Sequence, residues 1–191
     1  MTVPASSEAP ARHPQRVLVA GASGAGKTTL ARLIAERWHL PHTELDGLHW
    51  HSGWIPNPDF ASDVHRLAEG EHWVTEFQYG DARPILAARA ELLVYLAFPR
   101  ALVMSRVIRR TVRRRRSAER LWDTDNREPP LRTILTDNDH IIRWAWKSID
   151  RYAEVVAETR QSHPALQIVT LRSPRKAARW LERGWQDSDD A

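Results

Sequence analysis

Residues 17–28 read Val-Leu-Val-Ala-Gly-Ala-Ser-Gly-Ala-Gly-Lys-Thr. The last eight of them match the pattern G-x-x-x-x-G-K-[ST], and a short β-type apolar run precedes this match. From Thr28 onward the apolar residues recur with a helical period. A strand, a glycine-rich turn and a helix are the structural context that the pattern requires. The stretch therefore predicts a turn whose backbone amides face a polyphosphate at the start of a helix.

This turn, residues 21–28, which we call the phosphate loop, is expected to hold a nucleotide. Lys27 is expected to reach the β- and γ-phosphates, and the Thr28 hydroxyl to coordinate Mg²⁺. The residues expected to contact the nucleotide here are Gly21, Ser23, Gly24, Ala25, Gly26, Lys27, Thr28 and Thr29. A glycine-rich turn that only joins a strand to a helix is the structural alternative.

The length and composition of the chain indicate one globular domain. It has 191 residues, of which 42% are hydrophobic and 27% charged. The longest apolar run, residues 92–98, is far shorter than the roughly 20 residues that cross a bilayer. The absence of cysteine excludes disulfides and thiolate metal sites. With no typical secretory signal, we predict a cytoplasmic protein with a flexible leader (1–15), one domain (16–186) and an acidic tail (187–191).

Apolar runs and helical patterns alternate along the domain. Five strands are predicted at residues 17–20, 42–45, 73–77, 92–96 and 167–171. Helical patterns follow Thr28, follow a cap at Asn57-Pro58, and cover residues 101–116, about 142–156 and 175–183. Because each parallel return needs a helix-sized crossover, we predict an α/β fold, a three-layer α/β/α sandwich with a five-stranded parallel sheet.

Two carboxylates follow predicted strands and are candidates for catalysis. Asp46 follows the second strand, and Glu76 lies near the end of the third. The carboxyl ends of parallel strands meet at one edge of the sheet, so both should lie near the phosphate loop. Either side chain would orient an acceptor hydroxyl, and both are candidate Mg²⁺ ligands. The structural alternatives are a turn or cap aspartate for Asp46 and a surface carboxylate for Glu76.

The segment after Asp46 is expected to receive the acceptor. Trp50 and Trp54 carry flat amphipathic rings that suit a base or sugar, although packing onto the body is the alternative. His49 and His51 have no third metal ligand at a useful spacing. Arg83, after the third strand, is a candidate contact for an acceptor phosphate.

Residues 100–116 contain eight arginines and no acidic residue, so their local charge of +8 exceeds the net charge of +4 for the whole chain. Arg106, Arg109, Arg110 and Arg113 recur at spacings of three and four and would form one cationic stripe on a helix. A polyanion is the natural partner of such a stripe. The alternatives are a solvated helix paired with Glu119, Asp123 and Asp125, and a nucleic-acid groove that uses residues 113–116.

Other classes of nucleotide-binding protein lack their motifs here. The guanine-reading N-K-x-D string does not occur, and neither does the apolar run followed by Asp-Glu that motor-type ATPases use. Residues 16–185 instead resemble the small P-loop kinases related to adenylate kinase and shikimate kinase, with the topology modulation proteins as the most similar branch. The segments that carry this resemblance are residues 17–31, 45–50, 53–54, 73–79, 98–100 and 171–175.

The resemblance implies ATP as phosphoryl donor, Mg²⁺ and a helical, arginine-rich lid at about residues 101–136. It implies that Arg106 and Arg110 close over ATP, and that the turn at Arg172 and Pro174 contacts adenine. Residues 117–130 would form the lid tip, where Glu119, Trp122, Asn126 and Arg127 have no assigned role. Two departures stand out: Glu76-Phe77 replaces the family's Asp-Gly, and Leu96-Ala97-Phe98-Pro99 replaces Leu-Asp-x-Pro.

The expected function is an ATP-dependent kinase that phosphorylates a small molecule such as a nucleotide or nucleoside. Lys27, Asp46, Glu76, Arg106 and Arg110 are its expected catalytic residues. Two alternatives stay open: a nucleotide-dependent protein that binds DNA or RNA, and a nucleotide binder with little catalysis.

Overall fold

The structure is a computed structural model that describes residues 13–117 and 141–183. Its main sheet is built from β1 (Arg16–Gly21), β2 (His42–Thr43), β5 (Trp73–Glu76), β6 (Leu92–Leu96) and β7 (Gln167–Leu171). A separate hairpin consists of β3 (Trp50–His51) and β4 (Ile55–Pro56), joined by a 3-10 turn at Ser52–Trp54. The helices are α1 (Lys27–Trp38), α2 (Leu45–His49), α3 (Phe60–Glu69), α4 (Ala82–Ala87), α5 (Arg100–Ser117), α6 (Ile141–Ser162) and α7 (Pro174–Arg183).

The five-stranded sheet has the order β2-β5-β1-β6-β7, and all of its pairings are parallel. β1 lies at the centre because residues 17–20 are apolar and are buried on both faces. The predicted fold, a three-layer α/β/α sandwich around a five-stranded parallel sheet, is confirmed.

Each face of the sheet has its own core, since successive strand residues point to opposite sides. Val17 and Val19 face α1, α5 and α7, whereas Leu18 and Ala20 face α3, α4 and α6. The two helix layers hold the sheet rigidly from both sides, so its carboxyl edge is a fixed base for the segments that follow the strands.

Two element boundaries differ from the predictions. The second strand ends at Thr43 rather than at residue 45, because Leu45 begins α2 and donates its N–H to Glu76 Oε2 at 3.3 Å. The predicted cap at Asn57 does not start α3, which begins at Phe60. Asn57 Oδ1 instead accepts the N–H of Asp59 at 2.9 Å in the turn before the helix.

Several predicted segments lie wholly or partly outside the described residues. These are residues 1–12 of the leader, the lid beyond residue 117 with its tip, and the acidic tail. The end of the predicted leader is not loose, however, because Gln15 donates its N–H to Glu91 at 2.6 Å and accepts the N–H of Trp73 at 2.9 Å. Among the helices described, none is both long and apolar enough to cross a membrane.

Candidate functional site

The phosphate loop lies at the carboxyl end of β1. From β1 the chain moves to β2 and β5 on one side of the sheet, and later to β6 and β7 on the other side. Where strand order reverses in this way, the connections diverge and leave a crevice for a ligand. Residues 21–28 therefore lie where open α/β sheets bind their ligands.

Two glycines in the loop have backbone conformations that disfavour a side chain, and one of them also has no room for it. Gly24 has a φ of +86°, and a Cβ atom there would lie 2.3 Å from Val107 Cγ2 on α5. Gly26 has a φ of +102° and directly precedes the first turn of α1. The first N–H groups of a helix have no partner within that helix, so this start of α1 can donate to an anion.

Replacement of Gly24 by alanine is expected to destabilise the fold by about 2–4 kcal/mol, through the clash with Val107 and the left-handed backbone. The melting temperature should fall by roughly 5–15 °C in thermal unfolding. The second substitution Val107→Ala should restore part of this loss, because it removes the methyl group that the new side chain meets. An unchanged melting temperature for Gly24→Ala would contradict the close packing.

Lys27 begins α1, and its ammonium group turns back toward the loop. Nζ lies 3.4 Å from the carbonyl oxygen of Ala22 and 5.5 Å from the centre of the Tyr152 ring. Burial lowers the pKa of Lys27, while the charges of Asp46 and Glu76 act in the opposite direction. Within residues 13–117 and 141–183, no carboxylate comes within 4.0 Å of this ammonium group. The charge is therefore placed to meet an anion that enters the crevice.

Asp46 lies in the first turn of α2 and does not cap that helix. Its Oδ1 atom accepts hydrogen bonds from Gln78 Nε2 at 2.7 Å and from the Tyr79 hydroxyl at 2.5 Å. Burial raises the pKa of Asp46, and the bond from Tyr79 and the charge of Lys27 partly offset that rise. Asp46 and Lys27 are thus close enough to interact through their charges, and one carboxylate oxygen of Asp46 is held by neighbouring side chains.

Glu76 ends β5 with only 2% of its surface exposed, so the surface-carboxylate alternative is wrong. Its Oε2 accepts the N–H of Leu45, and its Oε1 lies 3.5 Å from His42 Nε2, which is an electrostatic contact rather than a good hydrogen bond. The Thr28 hydroxyl is also within hydrogen-bonding reach. Burial alone would raise the pKa of Glu76, but these three neighbours together hold it below its usual value.

The lowered pKa of Glu76 gives a test by pH. A carboxyl whose pKa is lower in the native state stabilises that state above its unfolded-state pKa of about 4.5, and this stability is lost as pH falls through the native value. Glu76→Gln should therefore cost about 1–3 kcal/mol of unfolding free energy at pH 7, and the difference from the parent protein should shrink below about pH 4.5. Urea unfolding of both proteins at pH 7 and below pH 4.5 measures this difference in unfolding free energy. Glu69→Gln, at an exposed site on α3, is the control, and an equal difference at both pH values would refute the assignment.

Two arginines of α5 contact the phosphate loop. Arg106 Nη1 donates to the carbonyl oxygen of Ala25 at 3.0 Å, and its guanidinium group lies over the Phe98 ring at 5.4 Å. Arg110 Nη2 lies 3.4 Å from Ser23 Oγ. Both side chains thus reach the phosphate loop.

Arg109, a third member of the expected stripe, bonds to Ser105 in its own helix. Arg109 is exposed and donates from Nε to the carbonyl of Ser105 in its own helix at 3.3 Å. Arg113 is also exposed. The four arginines still share one face of α5, since residues three and four apart lie on the same side of a helix, but Arg106 and Arg110 contact the loop whereas Arg109 bonds within its own helix.

An aromatic cluster lies beside Asp46. The His49 ring packs against Trp50 and Phe60 at 4.6 Å each and against Tyr79 at 4.2 Å between ring centres. Burial lowers the pKa of His49, which keeps the ring neutral at pH 7. Trp54 contacts Trp50 edge to face at 5.6 Å and is 38% exposed. Trp50 therefore packs within the cluster, while Trp54 offers a ring to solvent.

The remaining predicted contacts lie around this centre. Ser23 and Thr29 belong to the loop and the first turn of α1, and the Thr29 side chain is exposed. Arg83 Nε lies 3.4 Å from the carbonyl oxygen of Tyr79. Arg172 is exposed directly after β7, and Pro174 begins α7.

Three residues near Asp46 and Lys27 were missed by the sequence analysis. They are Gln78, Tyr79 and Tyr152. Position provided a signal for the first two, since they follow Glu76 at the same edge of the sheet. Tyr152 had no such signal, because it comes from α6 and belongs to an amphipathic pattern that reads as core.

The residues present fit ATP with Mg²⁺. The loop supplies helix-start amides and an ammonium group that no described carboxylate pairs. The Thr28 hydroxyl and Glu76 carboxylate are hard oxygen donors of the kind Mg²⁺ prefers. Among the described residues no three His, Asp or Glu side chains form a metal-binding group, so phosphate oxygens and water would complete the ligand set.

Comparison with known proteins bears mainly on the fold. A family model described as Zeta toxin matches residues 4–44, about a fifth of the chain, and this stretch includes the phosphate loop. No curated protein matches the sequence significantly.

Two solved structures are similar over most of their length. A shikimate kinase from Acinetobacter baumannii, in complex with shikimate, has 16% identity and a TM-score of 0.54, over 90% of this chain and 91% of that chain. A shikimate kinase from Bacteroides thetaiotaomicron has 17% identity and a TM-score of 0.51, over 89% and 96%. The chain therefore has the fold of these two proteins.

Proposed function

We propose that this protein is an ATP-dependent, Mg²⁺-requiring kinase that phosphorylates a hydroxyl group of a small molecule. The observation that carries the proposal is the placement of Asp46 in the same crevice as Lys27, with Arg106 and Arg110 reaching the loop. A carboxylate in this place can accept the proton of an acceptor hydroxyl, a role that a nucleotide-binding switch does not need. The fold shared with shikimate kinases supports the same function.

The side chains divide the work of phosphoryl transfer, in which positioning and charge neutralisation supply most of the catalysis. ATP with Mg²⁺ would supply the γ-phosphoryl group, held at the loop amides, Thr28 and Glu76. Lys27, Arg106 and Arg110 neutralise the negative charge that develops on the transferring group. Asp46 accepts a hydrogen bond from the acceptor hydroxyl and takes its proton as the new O–P bond forms, while the bond from the γ-phosphorus to the bridging oxygen breaks and ADP leaves.

The acceptor side favours a molecule with a flat or ring-shaped face. Trp54 presents an exposed ring close to Trp50 and the Asp46 cluster, and such rings stack on bases and sugars. Arg83 is half-buried after β5 and adds a positive charge there. A nucleoside or nucleotide combines the hydroxyl, the ring and, in the second case, the phosphate that these groups suit.

Release of ADP, measured with a panel of nucleosides, nucleoside monophosphates and small hydroxylated acceptors, tests this function. Acceptor-dependent ADP release by the parent protein, and its loss in Asp46→Asn with ATP binding retained, is the expected result. Stimulation by DNA or RNA alone would favour the nucleic-acid alternative. Tight ATP binding without turnover under every condition would instead identify a nucleotide binder with little catalysis.

A further inference from the structure

Tyr79 has an unusual backbone conformation for its residue type. Its φ is +61°, in the left-handed region that glycine and asparagine occupy readily and that a bulky aromatic residue rarely adopts. A residue held in this way is strained, and such residues gather at functional sites. The conformation therefore calls for a compensating role of the side chain.

The side chain of Tyr79 makes a set of contacts that all meet at Asp46. Its hydroxyl donates to Asp46 Oδ1 at 2.5 Å, and the Trp50 indole is within hydrogen-bonding reach of the same hydroxyl. The ring is fixed by His49 at 4.2 Å and by Phe60 at 5.2 Å. Burial and the Asp46 charge both raise the pKa of Tyr79, so the hydroxyl stays protonated and remains a donor.

The backbone of Tyr79 is fixed as firmly as the ring. Its carbonyl oxygen accepts the N–H of Arg83 at 3.2 Å, at the start of α4, and lies 3.4 Å from Arg83 Nε. The residue thus connects the end of β5 to α4 and, through its hydroxyl, to α2. A side chain fixed at both ends can set the orientation of the carboxylate that it touches.

We propose that Tyr79 is a positioning residue that acts through Asp46 and makes the proposed phosphoryl transfer efficient. With Gln78, it holds Oδ1 of Asp46, and it leaves Oδ2, which has no hydrogen-bond partner within the described residues, to face the acceptor hydroxyl. The proposal rests on the proposed function, since it concerns the carboxylate assigned to the acceptor.

A double-mutant cycle separates this role from a purely structural one. Turnover is measured with labelled ATP and the best acceptor for the parent protein, Tyr79→Phe, Asp46→Asn and the double variant, at enzyme concentrations that reveal slow rates. Tyr79→Phe should lower kcat about 10- to 100-fold, as for the loss of one hydrogen bond to a charged group, with the KM for ATP changed less than about 2-fold. In the Asp46→Asn background the same change should alter kcat less than about 3-fold.

Tyr95→Phe is the matched control, because it removes a partly buried phenol hydroxyl on β6 outside the site, and its turnover should equal that of the parent. Equal losses from Tyr79→Phe in both backgrounds, or no loss in either, would overturn the positioning role while leaving the kinase function standing. Absence of acceptor-dependent turnover in the parent protein would overturn both proposals together.

Discussion

Lys27→Ala should lower kcat/KM for acceptor phosphorylation about 1,000-fold or more. Lys27 is the cation at the start of α1, and no described carboxylate pairs its charge within 4.0 Å. Without it, the charge that develops on the transferring phosphoryl group loses its nearest ammonium group. Partial burial makes this loss larger, because water compensates for a missing charge less well there than at an exposed position.

Lys176→Ala provides the control for this experiment. Lys176 is exposed on α7, so its removal lowers the net charge equally and should leave kcat/KM unchanged. Thermal unfolding of both variants establishes that they are folded. If Lys27→Ala kept the parent rate, the phosphate loop would not be the site of the chemistry.

The double variant Arg106→Ala, Arg110→Ala should lower kcat about 100- to 1,000-fold while weakening ATP binding much less. The two guanidinium groups reach Ala25 and Ser23 of the loop. Because the negative charge on the transferring group is rearranged in the transition state, preorganised cations stabilise that state more than bound ATP. Single-turnover rates and calorimetric ATP titrations give the two quantities separately.

Arg109→Ala is the matched control on the same helix, since its side chain bonds within α5 and is exposed. It should change neither kcat nor ATP affinity appreciably. If the double variant lost ATP affinity and kcat by the same factor, the arginines would serve uniform binding, and their assignment to the transition state would be refuted.

The fold was predictable because its longer strands are short, mostly apolar runs bounded by turn residues. Residues 92–96 and 167–171 are strands with the predicted bounds. The β3–β4 hairpin and α4 were not predicted, because they are too short to show a period. At Leu45 a tertiary hydrogen bond to Glu76 ends the strand pattern, and local propensity contains no information about that partner.

The candidate site was predictable where its residues follow strands or repeat a motif. Asp46 and Glu76 lie at the edge where the topology places them, beside Lys27 and Thr28. The position of Tyr79 after Glu76 indicated the edge of the sheet, but its contact with Asp46 could not be predicted, because it depends on a left-handed backbone that tyrosine rarely adopts. Which of the α5 arginines contact the loop likewise depends on the rotation at which that helix packs, and the spacing of the residues alone does not determine this rotation.

At Gly24 and Val107 the loop and α5 pack against each other without a gap. Two parts in such contact cannot rearrange independently, so whatever steadies one steadies the other by the same free energy. Hydrogen exchange at the α5 amides should consequently slow when a nucleotide occupies the loop. A substitution that destabilises α5 should in turn weaken the binding of the nucleotide to the loop. The part of α5 around Val107 in this sense responds to the ligand as well as supporting it.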